Sequence, residues 1–301
     1  MTAPNMPFMT ERRREATSGY LLILPSYLGF LIFVAGPLAA AVYFSFTSFD
    51  LLSAPEFIGF DNYVRMLSDE RLHRVYGNTV VFMLAAVIGM TSLGLVLASA
   101  LNRRLPRALR YVVRSAYFFP SLVALVYVSV VFQALFQRDV GVVNYYLGLI
   151  GIGPIDWLNS PTGAMASVII VDVWRNVGLA MLIFLAALQD VPRDMEEAAR
   201  VDGAGGWTIF RHIQVPFISP AIFFVVTLTM IGAFQIFESI VVLTDGGPGD
   251  ATRSVVMYLT ERGFEQFRMG YASAIAVTLF ALILTITLVL FRLRRRWVFH
   301  E

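Results

Sequence analysis

Six long apolar runs separated by shorter polar stretches set the pattern of the chain. They fall at about 20–46, 79–101, 111–136, 164–188, 217–243 and 271–293. Each reaches or exceeds the roughly 20 residues a helix needs to cross a ~30 Å hydrocarbon core. The pattern predicts an all-α membrane protein with six transmembrane helices in one domain over residues 20–293. Polar tails at 1–19 and 294–301 flank it. The first run contains Pro25 and Pro37, which membrane helices tolerate when neighbours satisfy the freed carbonyls. It is too long for the apolar core of a signal peptide, and no small-residue cleavage site closes it. No internal repeat, low-complexity linker or second soluble domain is evident.

One polar interruption, residues 189–216, also carries helix signals. Pro192 suits a first helical turn, where a missing N–H costs nothing. Asp194, Glu196 and Glu197 follow, at the end of a helix whose dipole favours carboxylates. Met195, Ala198, Ala199 and Val201 give a modest apolar face. Gly203, Gly205 and Gly206 then predict a sharp turn. Trp207, Phe210 and Ile213 recur at near-helical spacing, and Pro216 and Pro220 mark the return to the bilayer. Two short helices joined by a glycine elbow on the membrane face read as a docking module.

Arginine placement orients the chain. Fifteen of the 23 basic residues fall on one side of the six runs, seven on the other, and Arg175 inside the fourth. The richer side holds both tails and the 189–216 loop, which are therefore expected in the cytoplasm of a multi-pass membrane protein. All 23 basic residues are arginine. Without lysine there is no ordinary Walker A site and no Schiff-base chemistry. Without cysteine there is no disulfide, thiolate zinc site or cysteine nucleophile. At 57% hydrophobic and 15% charged residues, with mean hydropathy +0.70, the chain is far too apolar for a soluble globular domain. Its net charge of +2 does not indicate nucleic acid, because the arginines cluster at membrane edges.

The three histidines, His73, His212 and His300, are scattered, and no catalytic or metal-binding constellation stands out. The informative polar residues lie within the apolar runs. Asp172, Arg175 and Asn176, with Trp174 among them, fall in the fourth; Gln235 and Glu238, next to Phe234, fall in the fifth. Polar and ionisable groups at membrane depth are costly unless paired or hydrated. They are candidates for a solute pathway, with amides and carboxylates bonding hydroxyls and a sugar ring stacked on Trp174 or Phe234. The structural alternative pairs Arg175 with Asp172 on one helix, or with Glu238 across two.

Glu197-Ala198-Ala199, then Asp202-Gly203-Ala204, then Ile213-x-Val215-Pro216 resembles the EAA loop of membrane subunits of binding-protein-dependent ABC importers, with Val215 where leucine is usual. Phe57-Ile58-Gly59-Phe60-Asp61-Asn62-Tyr63 is similar to a signature of the carbohydrate branch of that family. Thr244-x-Gly246-Gly247-Pro248-x-x-x-Thr252 and Gly270-Tyr271-Ala272-Ser273-Ala274 continue the likeness, which covers about residues 20–292. The resemblance implies a type I importer fold and a permease that moves a sugar or sugar-like solute by alternating access. It implies coupling to the ATPase through Glu196, Glu197, Ala198, Ala199, Asp202, Gly203, Ala204 and Pro216, with Glu197 contacting a basic group there. Gly246, Gly247 and Pro248 would meet an extracytoplasmic solute-binding protein. The other expected partners are two cytoplasmic ATPase subunits, a second homologous permease and membrane lipid, with no nucleic acid. ATP and Mg would reside on the ATPase, with no cofactor on this chain, which is not itself an enzyme. A glycerol-phosphate, polyamine or amino-acid solute, a secondary transporter and a membrane-integrated enzyme are the rival readings.

Overall fold

The computed structural model describes residues 8–103 and 106–297. The ends of both predicted tails, 1–7 and 298–301, and Arg104 lie outside the described residues. The described residues are mostly helical. In order come α1 (Phe8–Phe30), α2 (Gly36–Ser45), the two-residue strands β1 (Thr47–Ser48) and β2 (Glu56–Phe57), α3 (Asp61–Ser68), α4 (Glu70–Asn102), α5 (Arg107–Leu122), α6 (Leu125–Leu135) and α7 (Val142–Leu149). Then follow α8 (Pro161–Gln189), α9 (Arg193–Val201), α10 (Gly206–Ile209), α11 (Val215–Phe217), α12 (Ser219–Phe234), α13 (Glu238–Leu243), α14 (Val255–Thr260) and α15 (Met269–Trp297). Four helical stretches are individually long and apolar enough to cross a membrane, and two bent pairs bring the total to six.

Three of the predicted spans are not simple rods. In the first, a π-helical turn at Leu31–Ala35 joins α1 to α2, with Gly36 N–H donating to the Leu31 carbonyl. The wider turn sits one residue before Pro37, whose ring would otherwise clash with the preceding turn. The third span, expected as one helix over 111–136, breaks between α5 and α6 with a bend of 103°. Val123 and Ala124 are extended there, and Pro120 lies in the last turn of α5. The fifth, expected over 217–243, bends by 68° at Ile218 and stops again at Gln235, restarting as α13.

Close packing divides the chain into two units, residues 1–65 with 262–277 and residues 66–261 with 278–301; the division falls within α3 and α15. The first unit explains two of the sequence motifs. Gly59 has φ +63°, which an L side chain rarely adopts. Asn62, buried, donates to the carbonyls of Ser45 (3.0 Å) and Thr47 (2.9 Å), and the Tyr63 and Ser45 hydroxyls bond at 2.7 Å. Phe46 packs edge-on against Phe60. The result is a small packed cap with aromatic flanks. At Gly270 a Cβ would lie 2.0 Å from the Thr47 carbonyl oxygen, so only glycine allows its N–H to reach the Phe49 carbonyl.

The second unit holds the main core. Leu72, Val75, Thr79, Phe82, Ala86, Met90, Gly94, Ala98 and Leu101 form one buried stripe along α4 at three- and four-residue spacing. Small residues let α8 approach that stripe: a Cβ on Gly94 would sit 3.0 Å from Ala180 Cβ. Gly178 of α8 meets α5 more closely still, since its Cβ would lie 1.9 Å from the Tyr117 carbonyl oxygen. The α5–α6 break is thus pressed against the middle of α8.

Candidate functional site

The breaks in the third and fifth spans open a cavity of about 420 Å³ in the second unit, among α4, α6, α8 and the α12–α13 junction. Asp172, Asn176, Gln235 and Glu238 all line it, as does Thr229. Four of the seven residues proposed for the pathway therefore share one space. Gln235 and Glu238 flank the helix break, where the chain no longer pairs its own backbone along a continuous helix. Phe82, Met90, Leu125 and Phe237 supply apolar wall.

The other three point elsewhere. Phe234 is fully buried in the core, and Trp174 is half exposed, edge-on to Phe132 at 5.1 Å. Neither can stack on a cavity solute; the rings that line the space are Phe82 and Phe237. Arg175 forms neither of the ion pairs considered from sequence. Its Nε donates to the Val123 carbonyl at 3.0 Å, Nη2 to the Ser121 carbonyl at 3.4 Å, and Nη1 to Asn176 Oδ1 at 2.9 Å. The break after α5 leaves carbonyls without helical donors, and a guanidinium with five fixed donors satisfies two of them. Sequence reasoning missed this because the partners are main-chain atoms more than 50 residues away. It also missed Thr229, although Val225, Thr229, Gly232 and Ile236 fall on one helical face.

Asn176 ties the cavity to that elbow. Its Nδ2 donates to the Asp172 main-chain carbonyl and to Asp172 Oδ1 at 3.0 and 3.1 Å, while its Oδ1 accepts from Arg175. Among the described residues the Gln235 and Glu238 side chains have no hydrogen-bond partner. The cavity therefore presents carboxylate and amide oxygens, with no basic side chain in its lining. That array accepts hydrogen bonds from hydroxyls and opposes anions.

The 189–216 loop folds as its sequence predicts. Pro192 precedes α9, and Gly203 (φ +83°) ends it. Gly203 N–H donates to the Arg200 carbonyl at 3.0 Å and Ala204 N–H to the Ala199 carbonyl at 2.9 Å. These are the paired bonds of a Schellman motif, which needs a left-handed residue at this point. Glu196 accepts from Gln214 Nε2 at 2.7 Å and from Arg200 at 3.3 Å, pinning α9 to the helical segment after the elbow. Glu197, Ala198, Asp202, Gly203 and Pro216 are exposed, while Ala199 and Ala204 are half-buried. Among the described residues Glu197 has no partner. Met195, Val201 and Trp207 are also exposed, a patch of apolar surface on an otherwise polar loop.

The loop between α13 and α14 is closed on itself. Thr244 and Thr252 hydroxyls bond at 2.7 Å, and Thr252 donates to the Gly247 carbonyl. Gly246 and Gly249 take positive φ, as do Asp245 and Asp250. Of the three residues expected to meet a binding protein, Gly246 is buried, and Gly247 and Pro248 are half-buried. Behind them, Arg71 reaches Asp250 and Glu261, each at 2.6 Å, and Arg253 reaches the same two carboxylates at 2.5 and 2.9 Å. The bonds from Arg71 and then Arg253 hold the Asp250 carboxyl down at about 2 against their opposing burial.

Residues 89–298 match the model of a family described as "Binding-protein-dependent transport system inner membrane component". The chain is 37% identical to the probable ABC transporter permease protein YesP of Bacillus subtilis, covering 96% of this chain and 94% of that one. It is 34% identical to the trehalose/maltose transport system permease protein MalF of Thermococcus litoralis, over 94% and 95% of the two chains. The fold is that of a chain in the crystal structure of a bacterial ABC transporter involved in import of the acidic polysaccharide alginate, at TM-score 0.84 and 23% identity over 96% of this chain and 99% of that one. With a match across two thirds of its length and relatives along nearly all of it, this multi-pass chain belongs to the family of inner-membrane components of binding-protein-dependent transport systems.

Proposed function

We propose that the chain is the permease subunit of an ATP-driven importer for a neutral sugar or sugar-like solute. The observation that carries the substrate class is the cavity: two carboxylates, two amides and a threonine face it, and no arginine does. A phosphate ester would meet repulsion there without a countercharge. The name of the trehalose/maltose relative supports the same class. Asp172, Asn176, Gln235 and Glu238 hold the solute's hydroxyls during passage.

Energy enters from partner ATPase subunits that carry ATP and Mg. The α9–α10 elbow docks in them through Glu197 and the exposed Met195, Val201 and Trp207. Movement of the elbow with the ATPase pair exposes the cavity alternately to each side of the membrane. A second, homologous permease completes the pathway, and an extracytoplasmic binding protein delivers solute to the outer loops. Both termini and the 189–216 loop face the cytoplasm, as the arginine distribution supports.

Purification of the tagged full chain in mild detergent, with mass spectrometry of what accompanies it, tests the assembly. An ATPase, a second permease and a solute-binding protein are expected; a chain that purifies alone overturns the importer reading. Gly203→Asp tests the coupling. A Cβ at this position meets nothing within 4 Å, so its effect is the strain of a left-handed backbone, about 1–2 kcal/mol. Solute-stimulated ATPase activity should fall severalfold with membrane insertion unchanged, and undiminished stimulation would refute docking through the elbow.

A further inference from the structure

Between α6 and α8 lies a hairpin of about 20 residues that none of the foregoing uses. Residues 140–155 contain no charged side chain, although they lie outside every candidate span. Their outward-facing side chains are Val140, Val142, Tyr145, Tyr146, Leu149 and Ile150, exposed by 48% to 80%. A segment this apolar facing water would forgo stabilisation in proportion to the apolar area left uncovered. Something apolar covers it.

The hairpin is built to keep that face outward. Asn144 is its one amide side chain, and it turns inward. Its Nδ2 donates to the carbonyls of Arg138 (2.9 Å) and Ile155 (2.8 Å), and its Oδ1 accepts from Ile155 N–H (3.1 Å) and Trp157 Nε1 (2.9 Å). All four hydrogen-bonding positions of the amide are filled. Gly151, at φ +80°, ends α7 with Gly151 N–H on the Gly148 carbonyl and Ile152 N–H on the Leu147 carbonyl. The chain therefore satisfies its polar groups internally and presents hydrocarbon and two tyrosines.

We propose that this hairpin lies in the headgroup–acyl boundary of the bilayer and binds membrane lipid. The charge pattern favours lipid over a protein partner. Arg138, Asp139 and Asp156 are confined to the neck, with Arg138 Nη1 3.8 Å from Asp156. Beside α7 is an open cavity of about 420 Å³ whose lining includes Arg138 and Asp139 as well as Val142, Tyr145, Tyr146 and Ile152. A molecule with a polar head and an apolar tail matches that mixed lining. Protein interfaces carry a polar rim with regular hydrogen bonds, whereas this face offers only tyrosine hydroxyls. Tyrosine is enriched where a membrane meets water, and an apolar face beside a charged edge is how interfacial segments lie. The neck is continuous with α6, whose Tyr127, Val130 and Val131 are likewise exposed within a spanning pair.

The chain lacks cysteine, so single-site spin labels are direct. Val142→Cys, Tyr146→Cys and Leu149→Cys are labelled in the full chain, purified with whatever subunits accompany it and reconstituted in nanodiscs of phosphatidylethanolamine and phosphatidylglycerol. Asp139→Cys in the neck is the reference. Collision with oxygen, which concentrates in lipid, should exceed collision with a water-soluble nickel chelate severalfold at the three sites and not at the reference. Preference for the chelate at all three overturns the proposal by placing the hairpin in water. Low collision with both reagents also overturns it, by assigning the face to a protein partner. These outcomes do not depend on which solute is carried.

Discussion

Two polar clusters in the second unit differ in how far their hydrogen bonds are already committed. Around Asp250, two arginines face two carboxylates, and each guanidinium bonds both acids at 2.5–2.9 Å. Asn78 adds a bond to the Asp250 main-chain carbonyl at 2.6 Å. Around Asp172, the carboxylate has one amide donor, and Gln235 and Glu238 have none among the described residues. The first cluster joins the start of α4 to a loop 179 residues later and has little capacity left for a ligand. The second sits at two helix breaks and has capacity unused. Charge alone does not mark a site; unsatisfied polar atoms facing an open space do.

Breaking the closed cluster should give the largest effect. Arg71→Ala takes from the partly buried Asp250 and Glu261 carboxylates the guanidinium that bonds both, and losing charge-assisted bonds of this kind costs about 1.5–3 kcal/mol each. Thermal unfolding in detergent should shift down by several degrees, and transport should fall with the amount of folded protein. Arg71→Lys should recover only part of the loss, because one ammonium cannot span both acids in the guanidinium's geometry. Equal stability of Arg71→Ala and the parent chain would show that the cluster is not a scaffold.

The open cluster should respond the other way. Gln235→Ala removes an amide that bonds nothing in the protein, so unfolding should be unchanged within about 0.5 kcal/mol. One lost hydrogen bond to a solute hydroxyl is worth about 1 kcal/mol, or roughly fivefold in half-saturation for transport. Asn176→Ala should combine both behaviours, since Asn176 also receives Arg175. A Gln235→Ala variant that unfolds early while transporting normally would reverse the assignment of the two clusters.

How much of this was legible in the sequence depended on whether a motif is local. Gly203 ends α9 through bonds reaching back only three and five residues, so Asp202-Gly203-Ala204 announced its turn. Asn62 sits 17 and 15 residues from the two carbonyls it bonds. The six-run pattern gave the spans because apolar length is a local quantity. The helix breaks were hidden. Nothing in the apolar run 111–136 except Pro120 hints at a 103° bend, because the bend is supported by Arg175 and Gly178 on another helix. Asp172, Asn176, Gln235 and Glu238 were found as costly residues in apolar runs, but the facing of Trp174 depends on where α6 packs, against Phe132, and that of Phe234 on where α12 ends. The Arg71–Asp250 pairing, across most of the chain, left no sequence signal.

The smallest expected effect at neutral pH, and the sharpest test of the closed cluster, is its response to acid. The Asp250 carboxyl titrates at about 2 against an ordinary 3.8, chiefly because Arg71 bonds its charged form. A depressed value in the folded state means that the unfolded chain takes up the proton first. The stabilisation is complete above about pH 5, declines as pH falls through 3.8 towards 2, and is gone below both values. The melting temperature should therefore be flat with respect to this group from pH 8 to 5 and fall between about pH 4 and 2. Other carboxylates also titrate in that window, so Asp250→Asn supplies the control. It should melt lower than the parent at pH 7, and the gap between them should close as pH approaches 2. A gap that stays constant to pH 2 would mean that the Arg71–Asp250 bond does not distinguish the charged from the neutral acid, and the cluster would then be held by packing rather than by charge.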